Sequence, residues 1–427
     1  MNQINVGIIG LGTVGSGVVE IINKEKEKLI KETGIKMNLV KICDKDNSRL
    51  DPKFHSIFTS NWKEITESKE IDLVVELIGG NTVAYDVQKS ALENSKFVVT
   101  ANKALLSEKG EELFSIAKSK NVEIGFEASV GGAIPVIRSI KTGLASNEFL
   151  SLYGILNGTT NFILTKMEEE DMDYPDALKL AQKLGFAEAD PTFDVEGIDA
   201  AHKLSLLCGL AFKQKISIQD ISIEGISKIS KSEIKQARSL GLRIKLLGIA
   251  KKTEQGLEVR VSPIMIPLEH PLASVKYEMN TIYFETSYSG PSMLMGKGAG
   301  SLPTASAVVA DILYYAERKI NKNSALENNL FEKGKIASSK ETEARFYIRL
   351  KTVDRPGVLG VITNILGKNS VSISSIRQNE SLTEPVELII LTHKSKAGNV
   401  INSIEEIDKQ QDIIKEKSIY LRLENFS

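Results

Sequence analysis

The residues most able to do chemistry lie between Glu188 and Lys203, in the segment EADPTFDVEGIDAAHK. Carboxylates crowd it, and a proline and a glycine fix its backbone. Asp199 and Lys203 are four residues apart on what the pattern predicts as a helix from about 197 to 212, so they share a face. Lys203, Leu206, Leu207 and Leu210 recur at helical spacing, which predicts a partly buried lysine beside a carboxylate. Alcohol oxidation needs a group that takes the hydroxyl proton as hydride leaves, and a positioned lysine can serve. Burial lowers a lysine pKa and a neighbouring carboxylate raises it, a contest that spacing leaves open. The plain alternative is a solvated i,i+4 ion pair, which is common and weak. His202 projects away from Lys203 and reads as structural.

Such a segment needs a partner that accepts hydride and a scaffold that holds both. INVGIIGLGTVGSGVVEII reads as strand, glycine turn and helix, with Gly10, Gly12 and Gly15 in G-x-G-x-x-G spacing. Gly10 permits the tight turn, Gly12 lets backbone approach a pyrophosphate, and Gly15 lets helix and strand pack closely. The loop Gly10, Leu11, Gly12, Thr13, Val14 and Gly15 is therefore the expected phosphate cradle, facing a helix N-terminus. No GK[ST] follows, which argues against a P-loop. A second strand, MNLVKIC, ends at Asp44. A carboxylate there accepts from a ribose and repels a 2′-phosphate, favouring NAD over NADP, although Lys45 and Arg49 follow closely. Residues 71–80 and 96–107 read as buried parallel strands running into loops, with Asn102 and Lys103 beyond the second. Residues 122–137 add a strand and a glycine loop, and Asn157-Gly158 reads as a strand-end turn with exposed backbone.

A length of 427 residues fits about three domains. The expected division is a Rossmann NAD(P)-binding domain at 1–130, a substrate-binding and dimerisation domain at 131–320, a linker at 321–343 and a further small domain at 344–427. A helix near 303–318 is expected to rejoin the Rossmann sheet. A net charge of −1 offers no bulk attraction to nucleic acid or an anionic membrane. The two cysteines, Cys43 and Cys208, lack a CxxC partner, so neither a disulfide framework nor a zinc site is visible. No apolar run reaches the ~18 residues of a membrane span, and a strand starts too early for a signal peptide. The expected address is cytoplasmic. After the polar stretch, ARFYIRLKTV, VLGVITNILGK, VSISSIRQN, VELIILTHK, residues 397–408 and SIYLRLE give β-α-β-β-α-β, a ferredoxin-like order.

GLGTVGSGV, TANK, FEASVGGAIP, LNGTTN, EADPTFDVEGIDAAHKL and GKGAGSLPTASAVVAD together resemble the homoserine dehydrogenase family in order and spacing, over the whole chain. The resemblance implies reversible oxidation of L-homoserine to L-aspartate 4-semialdehyde with NAD or NADP. It implies Lys203 as proton donor and acceptor and Lys103 as a second lysine at the reacting centre and cofactor. Glu188 and Asp199 carry over as substrate ligands, and Asp194 as a group that orders the site. Gly158, Gly185 and Gly300 match positions where backbone lies against substrate or cofactor. The loop from Glu127 resembles the family's sodium site, with Glu127, Val130, Gly132 and Ile134 as ligands, mainly through main-chain oxygens. Members that use NADP often carry an arginine where this chain has Asp44. The DRPGVLG turn looks like that of an ACT domain, implying an amino-acid effector such as threonine and pairing into a homodimer or homotetramer. Two other readings compete: a dehydrogenase acting on a different small amino acid or sugar, and an amino-acid sensor without activity. The first leaves the acidic segment unexplained; the second sits poorly with the presence of Lys103, Glu188, Asp199 and Lys203.

Overall fold

The computed structural model describes residues 2–322, 334–378 and 385–426. The chain forms two compact units, each assembled from separated stretches. The first comprises Met1–Gly158, Ile198–Asp220 and Glu278–Gly334; the second comprises Thr159–Gly197, Ile221–Tyr277 and Lys335–Ser427. The expected division ran in sequence order. Discontinuous units arise because strands and helices distant in sequence pair in space.

In the first unit, six strands make a parallel sheet: β1 (Asn2–Ile9), β2 (Ile35–Cys43), β3 (Phe58–Thr59), β4 (Leu73–Glu76), β5 (Phe97–Thr100) and β6 (Ile124–Gly125). Their spatial order is β3-β2-β1-β4-β5-β6, the doubly wound arrangement. Ile4, Val6, Ile8, Val74, Val75, Val98 and Val99 are fully buried, which is why these strands read as apolar runs rather than alternating ones. The order reverses between β1 and β4, and the glycine loop leaves β1 at that point. The helix Ser301–Ile320 packs on Thr13–Lys24, with Ser301 Oγ donating to the Thr13 carbonyl at 2.6 Å. Gly17 permits this approach: a Cβ there would lie 3.0 Å from the Ala305 Cβ. Three antiparallel strands, Phe149–Ile155, Met279–Thr286 and Gly290–Lys297, complete the unit's β-structure, with Met279–Thr286 in the middle.

Several local expectations change. Residues 96–107 are not one strand: β5 ends at Thr100 and a helix runs Lys103–Ser119. Asn102 causes the switch, its Oδ1 accepting from Leu105 N at 3.1 Å as an N-cap. Asn157 is buried, and a helix starts at once at Gly158, so no exposed turn forms there. The Ile198–Phe212 helix is buried on nearly all sides, not along one stripe.

The second unit holds the antiparallel hairpin Leu242–Thr253 and Gly256–Pro267. The latter pairs in parallel with Ile414–Leu423; Ile414–Leu423 pairs with Glu343–Thr352, that strand with Val386–Thr392, and that one with Ile373–Gln378. With helices Val358–Lys368 and Ala397–Asp408, these last elements have the expected β-α-β-β-α-β order. Their core is Phe346, Ile348, Leu350, Ile362, Leu366, Ile390, Val400 and Ile407. Part of the expected linker lies outside the described residues. Its far end is tied down: Leu257 N donates to the Lys335 carbonyl at 2.8 Å, and Ala337 N to the Leu257 carbonyl at 3.0 Å.

Candidate active site

The glycine loop has the geometry of a phosphate cradle. Gly10 sits at φ +105°, and its N–H donates to the Cys43 carbonyl at 2.8 Å. A Cβ on Gly15 would fall 1.9 Å from the Gly10 carbonyl oxygen, so only glycine allows strand and helix to meet there. A Cβ on Gly12 would meet nothing within 4 Å, so its backbone faces open space. That combination fits a dinucleotide pyrophosphate. Asp44, at the end of β2, accepts from Leu11 N and, at 2.6 Å, from Lys45 N. The Asp44 carboxylate thus adjoins the cradle. Gly300, at φ +121°, caps the Ser301–Ile320 helix, and its carbonyl accepts from Thr304 N at 3.1 Å.

The lysines converge on one carboxylate. Lys203 Nζ donates to Asp199 Oδ2 and to the Leu156 carbonyl, both at 2.7 Å. Lys103 Nζ lies 3.2 Å from Asp199 Oδ1. Asn157 Nδ2 donates to Asp199 Oδ2 at 2.9 Å, and Asn280 Nδ2 to the Leu156 carbonyl at 3.0 Å. Burial pushes the Asp199 carboxyl upward, but the Lys203 and Lys103 ammonium groups and the hydrogen bonds outweigh it and hold the group well below the usual carboxylate range. Asp199 and Lys203 are 5% and 9% exposed, so this is no solvated helix-face pair. Lys103 keeps 30% of its side chain exposed.

Helix geometry supplies the Asp199–Lys203 contact. Lys103 joins because its helix starts just beyond β5, at the carboxyl end of the parallel sheet. His202 faces another way: Nδ1 lies 2.9 Å from Ser107 Oγ, and burial, then Lys103, pushes the imidazole pKa down. Leu156, Asn157 and Asn280 were not singled out from sequence as members of the site. Their signal is faint, since a backbone carbonyl carries no residue preference and Asn280 is far away in the chain. Asn280 Oδ1 is buried without a hydrogen-bond partner, an open acceptor one step from the Lys203 contact.

Glu188, Asp194 and Gly185 belong to the second unit. Glu188 is exposed and its carbonyl accepts from Gln182 Nε2 at 3.0 Å. Asp194 Oδ2 lies 3.5 Å from Thr159 Oγ1, whose hydroxyl donates to the Phe186 carbonyl at 2.5 Å. Gly185, at φ +79°, follows the Tyr174–Lys183 helix, and Gly158 excludes a side chain because a Cβ would lie 2.7 Å from the Glu278 carbonyl oxygen.

In the loop after β6, Glu127 is buried and accepts from Ile137 N at 2.6 Å and Arg138 N at 2.9 Å. Burial, then Asp311, pushes its carboxyl up to about 7, while burial pushes Asp311 up to about 6. Gly132 sits at φ +56°, with no room for a Cβ, which would fall 2.6 Å from the Gly298 carbonyl oxygen. Among the described residues, no group of three or more His, Cys, Asp or Glu is placed to hold a metal ion.

A doubly wound sheet with an open glycine cradle, beside a buried lysine–carboxylate centre, fits a nicotinamide-dependent dehydrogenase. The family description "Homoserine dehydrogenase, NAD binding domain" matches residues 10–127, and "Homoserine dehydrogenase" matches residues 135–313. A homoserine dehydrogenase of Neisseria gonorrhoeae is 38% identical, with 100% of this chain and 99% of the relative covered. A crystal structure of the Thiobacillus denitrificans homoserine dehydrogenase superposes with a TM-score of 0.92 at 39% identity, covering 100% of this chain and 99% of that one. A hyperthermophilic archaeal homoserine dehydrogenase in complex with NADPH matches at TM-score 0.63 and 26% identity, over 76% of this chain and 100% of that one. The chain belongs to the homoserine dehydrogenase family. It is an oxidoreductase of the CH–OH group that interconverts L-homoserine and L-aspartate 4-semialdehyde with a nicotinamide cofactor. No helix among the described residues is long and apolar enough to cross a membrane.

Proposed function

We propose that Lys203 is the acid/base of this reaction and that Lys103 polarises the same substrate oxygen. The observation that carries the reading is the buried Asp199 carboxylate bridging both ammonium groups. Bound nicotinamide supplies the hydride acceptor. In reduction the Lys203 ammonium donates its proton to the aldehyde oxygen; in oxidation Lys203 first gives a proton to solvent and then, as the neutral amine, takes the hydroxyl proton, while Asp199 holds both lysines in place. Because both Asp199 oxygens are engaged by lysines, Glu188 is the better candidate for gripping the substrate ammonium, with Asp194 ordering the loop and Gly158 and Gly185 admitting substrate against backbone. The test is turnover and dinucleotide binding in Lys203→Met: lost turnover with intact binding supports the role, and near-normal turnover removes it. An unchanged half-saturation for homoserine in Glu188→Ala would remove the ammonium contact.

NAD is the favoured cofactor: the Asp44 carboxylate, at the end of β2, adjoins the Leu11 backbone of the cradle, and a carboxylate at that strand end accepts from a ribose and repels a 2′-phosphate. The archaeal relative was solved with NADPH, so parallel rate measurements with NAD and NADP decide; a strong NADP preference overturns the reading. A monovalent cation, sodium first, is assigned to the main-chain oxygens of Val130, Gly132 and Ile134 with Glu127. Hard oxygen donors suit such an ion, and a cation would favour ionised Glu127. The C-terminal β-α-β-β-α-β module is read as an ACT domain that answers to threonine or a related amino acid and supports a homodimer or homotetramer. The enzyme is assigned to the cytoplasm.

A further inference from the structure

A cleft in the second unit takes no part in this chemistry. Glu258, Arg260 and Ser262 alternate along the strand Gly256–Pro267, so their side chains share one face. Ser222 pairs beside Arg260, and Arg422 beside Ile264. Arg260, Ser262 and Arg422, with Ser339, Phe346 and Tyr420, line a cavity of about 40 Å³, room for about three water-sized groups.

The charges around the cleft are engaged, yet two polar groups are not. The terminal nitrogens of Arg260 reach Glu258 and, at 3.1 Å, Glu424. Arg422 donates to Thr342 Oγ1 at 3.0 Å and to the Ser339 carbonyl at 3.1 Å, and lies 3.5 Å from Glu258. Arg260 Nε and Ser262 Oγ are both buried with no hydrogen-bond partner. The Arg260 side chain is only 6% exposed, so solvent does not take up that N–H freely. Three cations stand here, with Lys251 lying 3.6 Å from Glu424, against two buried carboxylates; the exposed Glu224 is at the rim. Burial, then Arg260, lowers the Arg422 guanidinium to about 10, a sign that an added negative charge would be favoured.

We propose that this cleft binds a small oxyanion, which accepts from Arg260 Nε–H and from the Ser262 hydroxyl. An unpaired buried donor on a guanidinium edge is satisfied best by an anionic oxygen, because charge-assisted hydrogen bonds are the strong ones. The two sources of that chemistry are the carboxylate of a small organic acid and an inorganic anion such as phosphate. The site depends neither on the roles given to Lys103 and Lys203 nor on the ACT reading.

The experiment is thermal melting of the full chain with sodium acetate or sodium phosphate, at constant ionic strength and with dinucleotide saturating so that the glycine cradle is filled. Ser262→Ala removes the hydroxyl, and Ser262→Met fills the cleft. The expected result is a saturable rise in melting temperature with at least one anion, a dissociation constant weakened roughly tenfold or more in Ser262→Ala, and no response in Ser262→Met. Acetate alone marks the organic source and phosphate alone the inorganic one. No saturable shift with either anion, or a shift unchanged in both variants, overturns the proposal.

Discussion

Lys203 and Lys245 are both buried, at 9% and 2% exposure, and their surroundings are opposite. Lys203, in the first unit, meets the Asp199 carboxylate at 2.7 Å, and that carboxylate also holds Lys103. Lys245, in the second unit, donates among the described residues to two neutral oxygens: Asn161 Oδ1 at 2.8 Å and the Val275 carbonyl. Burial, then Arg243, pushes Lys245 down to about 7. The nearby carboxylates are committed elsewhere, Glu168 to Arg243 at 2.7 Å and Glu169 to Lys276 at 2.5 Å. Burial by itself therefore does not mark a catalytic lysine. A carboxylate partner meets the one lysine; neutral acceptors meet the other and make it a structural tie beneath the 275–277 turn, which Asn161 Nδ2 also holds through the Tyr277 carbonyl at 2.9 Å.

The contrast can be broken most sharply at Lys203. Lys203→Met should lower kcat by roughly 10²–10⁴-fold, with dinucleotide binding by fluorescence titration nearly intact; Lys245→Met should leave kcat within a few-fold, and equal losses would end the distinction. Next in size, Asp199→Asn should lower kcat by about a hundredfold, since two cations then face each other without a carboxylate. Asp199 also contributes stability that is present above its ordinary value of 3.8 and is lost as the pH falls through its lower folded value. Acid unfolding of the Asn variant should therefore be shallower.

Lys245 gives the opposite sign. Its folded value lies near 7 and its ordinary value at 10.5, so the unfolded chain binds the extra proton in between. Its contribution makes stability rise with pH across that window and stay flat below it. Lys245→Met should remove up to about 1.4 kcal/mol per pH unit of that slope in denaturant titrations; an unchanged slope would mean that Lys245 is charged throughout. The smallest effect is expected from Ser107→Ala, which removes the hydroxyl 2.9 Å from His202 Nδ1: about 1 kcal/mol in stability with little change in kcat. A loss as large as that of Asp199→Asn would move His202 into the chemistry.

The glycine spacing made the cradle legible, because each glycine answers a local steric demand. The Asp199–Lys203 contact was legible for a similar reason, since four residues on a helix fix it. Lys103 could be placed only beyond a strand, and its helix start was hidden because the Asn102 cap depends on one hydrogen bond. Lys245 carries a sequence signal of its own: in LRIKLLGI it alternates onto the face of Leu247 and Ile249, where a lysine is out of pattern.

Sequence by itself determined what depends on neighbours along the chain: the G-x-G-x-x-G turn, the helical pairing of Asp199 with Lys203, the apolar parallel strands and the β-α-β-β-α-β order. Tertiary structure decided what depends on burial and on meetings across long separations. Only it brought Lys103, Asn157 and the Leu156 carbonyl to one carboxylate, and assembled each unit from discontinuous stretches. Only it gave one buried lysine a carboxylate partner and the other neutral acceptors, because the dielectric and the partner of a side chain belong to the packed fold and not to its position in the chain.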